Sequence, residues 1–233
     1  MFFLKSFIFN FRRKSMSPLE KMNKWLDTPA EEKQKQVELV MYSSKSGKKM
    51  MNFLKKEGYK IQPRDYSKTE IDRQKKIINL TVGSSKEEGA LALVGAACVL
   101  KQEKYTPELL EYTPLQMERD AVRETDIEAN KCLFVHETAE KFPEVKNAYH
   151  GTYDHYEVFE NAFEKTGNTN AARSAVIEYA APVVHRAIGT EGTKAIEKCL
   201  PVCKDWDGNS YYADSKKTAV NAAVMAKAKQ QGR

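Results

Sequence analysis

Two pairs of metal-capable side chains, Cys132 with His136 and Cys199 with Cys203, share a separation of four residues. On a helix that spacing sets both members of a pair on one face. Two such faces brought together would offer sulfur and nitrogen to a tetrahedral Zn²⁺, whose structural sites are built from those ligands. The competing reading is packing, since unpaired cysteines are among the side chains most often buried in cores. The spacing is not that of the common zinc knuckles, and Pro201 would disturb the second helix. Packing is therefore the preferred reading, and no metal or other cofactor is expected.

His136-Glu137-Thr138-Ala139-Glu140 resembles the helical HExxH motif of metal hydrolases, but Glu140 stands where the second histidine belongs. His150 and His155 follow, and a carboxylate and histidine cluster of the kind that helical bundles use for iron would draw on them. Asp205-Trp206-Asp207-Gly208-Asn209-Ser210-Tyr211-Tyr212 resembles the first eight positions of an EF-hand calcium loop. Lys216 occupies the twelfth position, where that loop needs a bidentate glutamate, and Ser210 the sixth, where it needs glycine. A tight Asp-Gly turn is the better reading of this segment. No phosphate-binding loop, dinucleotide fingerprint or nucleophile elbow occurs, so no motif proposes a reaction.

Cationic chemistry is the stronger signal. Lys48, Lys49, Lys55, Lys56, Lys60, Arg64, Lys68, Arg73, Lys75 and Lys76 crowd one stretch that also carries Tyr59 and Tyr66. Such cations neutralise phosphates and such rings stack on unpaired bases, a combination suited to single strands without sequence preference. Arg173 and Arg186 are candidates to join them. The chain is uneven in charge: residues 1–83 hold 19 Lys and Arg against 9 Asp and Glu, residues 84–170 hold 9 against 17, and residues 171–233 hold 10 against 6. A basic first third, an acidic middle and a basic tail fit a polyanion-binding face or complementary surfaces between subunits; solvated helix faces are the plain alternative.

The elements that must position these residues read as helices. Ser84-Ser85-Lys86-Glu87-Glu88 carries two overlapping cap signals, and Ala90 to Leu100 is then apolar on every side. Too short for a bilayer, this helix must be wrapped by others of the same chain. Ser17-Pro18 and Thr28-Pro29 each start a helix with proline at the first helical position and glutamate at the third. A further helix from about Ser46 ends at Gly58, Gly58 to Tyr66 is a loop, and Ser67 to Glu70 restarts a helix to Gly83. Ile77 to Val82 would suit a strand, but no partner strand is evident. Thr106-Pro107, Thr113-Pro114 and Thr125-Asp126 mark later starts, Pro143 a stop, 152–165 a helix ending at Gly167, and Thr169 to Gly189 a helix interrupted by Pro182. Thr190 to Leu200 and about Ser215 to Lys229 complete the helices.

The fold expected is all-α, a compact globule of about nine to ten short helices around a buried central one. Residues 1–16 form an arm or targeting segment, 17–83 a basic helical subdomain, 84–204 the core, and 205–233 a loop and basic terminal helix. The apolar and basic run of residues 1–15 suits a mitochondrial-type presequence, an interfacial anchor or an arm on a neighbouring subunit. A cytoplasmic or virion-like intracellular setting suits four scattered cysteines read as reduced thiols. The function expected is a non-enzymatic, self-assembling protein that binds RNA or another polyanion, nucleoprotein- or capsid-like, with itself and single-stranded nucleic acid as partners and no membrane span. The alternatives are a metal-dependent helical enzyme or zinc-stabilised domain using Cys132, His136, Cys199 and Cys203, and an organellar or membrane-surface adaptor.

Overall fold

The computed structural model describes residues 16–64, 68–83, 85–105, 114–149, 153–188 and 203–211. Among these, eight helices and three strands follow in the order α1 (Pro18–Leu26), α2 (Ala30–Tyr42), α3 (Lys45–Lys56), β1 (Lys60–Arg64), β2 (Glu70–Asp72), β3 (Ile77–Thr81), α4 (Lys86–Tyr105), α5 (Pro114–Thr138), α6 (Val145–Ala148), α7 (Tyr153–Thr166) and α8 (Thr169–Ile188). The molecule is mostly helical, so the all-α expectation holds only approximately.

Helix α4 is the rod that the apolar run demands. Ala90, Leu91, Leu93, Val94, Ala96, Ala97, Cys98 and Leu100 are buried, while Ala92, Gly95 and Val99 are half-buried against neighbouring elements. Side chains from α2, α3, α5, α8 and β3 complete one core with it, Trp25 and Tyr211 among its members. Ser85 Oγ accepts from Glu88 N at 3.1 Å, closing the first turn. At Ser17 both halves of the capping box form, with Ser17 N donating to Glu20 Oε2 and Glu20 N to Ser17 Oγ.

Three expectations are corrected. The loop and helix read between Gly58 and Gly83 are instead a three-stranded sheet in the order β1-β3-β2. β3 pairs in parallel with β1, Ile61 opposite Ile78, and antiparallel with β2, Ile71 opposite Ile78. The missing partner for Ile77 to Thr81 was the stretch containing Pro63, which edge strands tolerate because one row of N–H groups has no ladder to join. The alternation puts Ile61, Pro63, Ile71, Ile78 and Leu80 on one face, and Lys60, Gln62, Arg64, Asn79 and Thr81 on the other.

The start expected at Thr125 does not exist, since α5 runs unbroken from Pro114 to Thr138. Asp126 binds groups from other elements in place of capping its own helix. Nor does Thr28 cap α2. Its hydroxyl donates back to Lys24 O at 2.8 Å, closing α1, and Pro29 takes the cap position without a side-chain bond. Two of the glycine stops are as read, Gly58 at φ 81° and Gly167 at φ 62°. The expected helices at 190–200 and 215–229, the Thr106-Pro107 start and the arm at 1–15 lie outside the described residues. No helix among the described residues is long and apolar enough to cross a membrane.

Candidate functional site

The basic stretch divides into paired and unpaired cations. Helix α3 buries Ser46, Gly47, Met50, Met51 and Leu54, which leaves Lys45, Lys48, Asn52, Lys55 and Lys56 as an exposed stripe at three- and four-residue spacing. Ser44 Oγ accepts from Gly47 N at 3.0 Å and starts the helix, and Gly58 turns the chain into β1 at its far end. Lys60, Arg64 and Lys68 continue the exposed cations beyond that turn. Among the described residues, Lys45, Lys48, Lys55, Lys56, Lys60 and Lys68 form no ion pair. Lys45 was not among the sequence candidates, although its spacing to Lys48 would have placed it on the stripe.

The remaining candidates are engaged. Arg73 forms a two-pronged pair with Glu103, whose hydrogen bond raises the guanidinium pKa. Lys75 pairs with Asp72 at 3.5 Å and Lys49 with Asp207 at 2.5 Å. Lys76 Nζ donates to Glu57 O at 2.6 Å and lies 5.9 Å from the centre of the Tyr59 ring. Tyr59 is half-buried, and burial raises its pKa. Arg64 Nε donates to Asn79 Oδ1 across the outer face of the sheet. Tyr66 lies outside the described residues, as does the Arg186 side chain.

Arg173 is placed away from this face. It is 3% exposed, donates to Asn130 Oδ1 at 3.2 Å and Asn170 Oδ1 at 2.5 Å, and stacks 4.0 Å from the Tyr211 ring centre. It belongs to an interior polar network that nothing in the sequence pattern announced. Asp126 lies at its centre, accepting from Tyr211 Oη at 2.5 Å, Gln102 Nε2 at 2.8 Å and Asn130 Nδ2 at 3.0 Å, with Lys101 Nζ at 3.4 Å. Lys101 also donates to Lys204 O at 2.6 Å, under the Trp206 ring. Through it the segment 203–211 is tied to α4, α5 and α8. Asp205 Oδ1 accepts from the N–H groups of Asp207 and Asn209, both at 2.9 Å, and Gly208 has φ 89°, so the turn reading of this segment is what its geometry displays.

The zinc candidates do not converge among the described residues, where no three His, Cys, Asp or Glu side chains form a group able to hold a metal. Cys132 Sγ is 3.4 Å from Tyr149 Oη, which donates to Glu128 at 2.8 Å. Burial pushes the Cys132 thiol up to about 12 and raises Cys203 as well, so both stay protonated at neutral pH. His136 Nδ1 is 2.9 Å from Glu160 Oε1, and its ring packs against Phe159 and Phe163. Glu137 accepts from Ser46 N at the start of α3. Cys199, His150 and the His185 side chain lie outside the described residues.

A cleft of about 340 Å³ opens beside Tyr149, lined among others by Glu88, Leu91, Glu128 and Lys131. Lys131 Nζ and Tyr149 Oη are both bonded to Glu128. Compared with family models, curated proteins and solved structures, the chain matches none.

Proposed function

We propose that the protein binds single-stranded RNA or another polyanion, without sequence preference, across the α3 stripe and its continuation into β1. The single observation that carries this reading is the run of exposed lysines Lys45, Lys48, Lys55, Lys56, Lys60 and Lys68 free of ion pairs among the described residues, beside cations that are neutralised internally. Unpaired cations keep a local positive potential that paired ones lose. Charge supports the reading, and the Tyr59 ring has the Lys76 ammonium 5.9 Å from its centre. Self-assembly belongs to the same proposal, favoured by Leu39 and Tyr42, large apolar side chains exposed three residues apart on α2.

Fluorescence anisotropy with a labelled oligothymidylate tests binding. Each phosphate contact on a single strand contributes about −0.7 to the slope of log K against log salt, so four or five contacts give a slope of about −3 to −3.5. Reversing three charges together, Lys48→Glu, Lys55→Glu and Lys56→Glu, flattens the slope by about 2 and weakens binding more than tenfold at about 0.1 M salt. No affinity at low salt, or affinity indifferent to salt, contradicts the proposal. Light scattering with and without the oligonucleotide tests assembly, and a monomer in both states contradicts that half.

A further inference from the structure

Of the α3 lysines, Lys49 stands apart among the described residues: its ammonium pairs with Asp207 at 2.5 Å, a residue 158 positions away in the chain. Asp207 sits at the tip of a turn whose backbone is fixed on several sides. Asp205 Oδ1 ties the turn from within by accepting from the N–H groups of Asp207 and Asn209, and Tyr211, fully buried, anchors it to Asp126 and Arg173. Lys101 holds Lys204 O, while the Trp206 ring lies between Lys101 and Phe53 of α3, 5.8 Å from the latter. The carboxylate is thereby presented to Lys49 by a rigid strap, Cys203–Tyr211.

An ion pair between two mobile surface side chains is worth little, because ordering both chains offsets the attraction. Here the backbone that carries one partner is already ordered by interior contacts made for other reasons, which is the condition under which a weak contact persists. A carboxylate and a phosphodiester offer the same thing to an ammonium: one negative charge on acceptor oxygens. We propose that Asp207 is a built-in counter-charge that withholds Lys49 from the α3 stripe until a polyanion displaces it. This rests on the polyanion reading above and adds regulation to the same face. The pair lies where displacement is feasible, since Lys49 and Asp207 side chains are 38% and 57% exposed.

The test is an oligothymidylate titration on the full chain. Asp207→Asn keeps the shape of the turn and frees one cation, so affinity rises about fivefold at about 0.1 M salt. Lys49→Gln alone leaves affinity near that of the unaltered protein, and the double variant loses the gain. Glu144→Gln removes the same charge where Glu144 faces Lys21, at 3.8 Å, and leaves affinity unchanged. An Asp207→Asn protein that binds no more tightly than the unaltered one overturns the counter-charge and leaves the binding face standing. An equal gain from Glu144→Gln, or a gain that survives Lys49→Gln, overturns it in favour of net charge alone. Failure of every form to bind at low salt overturns both.

Discussion

Asp126 has no solvent exposure, yet its carboxylate meets Tyr211, Gln102, Asn130 and the Lys101 ammonium, itself 1% exposed. Removing one member of a buried pair leaves the other charge uncompensated, which typically costs about 3–5 kcal/mol. Lys101→Met is expected to lower stability by that amount in urea unfolding, and Tyr211→Phe by about 1.5–3 kcal/mol, the range for a hydrogen bond to a charged group. Glu160 gives the pH dependence its sign. Burial by itself would raise its carboxyl, but hydrogen bonds from Tyr156 and His136 outweigh that and hold it below the usual value. A depressed carboxyl stabilises the fold above its unfolded pKa and loses that contribution as pH falls through the folded one. The difference in urea midpoint between about pH 7 and pH 3 is therefore expected to narrow in Glu160→Gln; an unchanged difference would contradict this assignment.

The elements are joined at close backbone approaches that single glycines permit. A methyl group at Gly47 would meet Met41 O at 2.1 Å, in the corner between α2 and α3, so the backbone there must shift. Gly47→Ala is expected to cost about 2 kcal/mol or more and to loosen the stripe that begins two residues earlier. Gly95, inside α4, meets nothing nearer than 3.9 Å. There alanine adds helix propensity without a clash, and Gly95→Ala is expected to stabilise by about 0.5–1 kcal/mol in the same urea assay. The sequence pattern displayed α4 well, because an all-round apolar run bounded by caps has one soluble solution. It displayed Ile77 to Thr81 only as an alternative, since the pairing strand contains Pro63 and a strand's partner is a long-range fact. Thr125 to Glu128 looked like a cap box and is mid-helix, because Asp126 answers to side chains 24 and 85 residues away.

At the scale of the molecule, the basic stretch read from composition divides by partner. Arg73, Lys75 and Lys49 are neutralised by Glu103, Asp72 and Asp207, and Arg173 serves the interior. Composition could locate the cations, but only the fold decides which remain available, since each neutralising carboxylate or packing ring is set by tertiary placement. The EF-hand-like segment shows the same division: its oxygens serve the turn and Lys49. What remains is a lysine stripe on α3 and its extension, and binding by charge through that surface is the central claim. Lysine acetylation footprinting with and without a single-stranded oligonucleotide tests it most directly. The expected result is protection of Lys48, Lys55, Lys56, Lys60 and Lys68, slow labelling of buried Lys101 in both states, and no change at exposed Lys165. Protection spread evenly over all exposed lysines, or absent from the α3 stripe while oligonucleotide is bound, would contradict it.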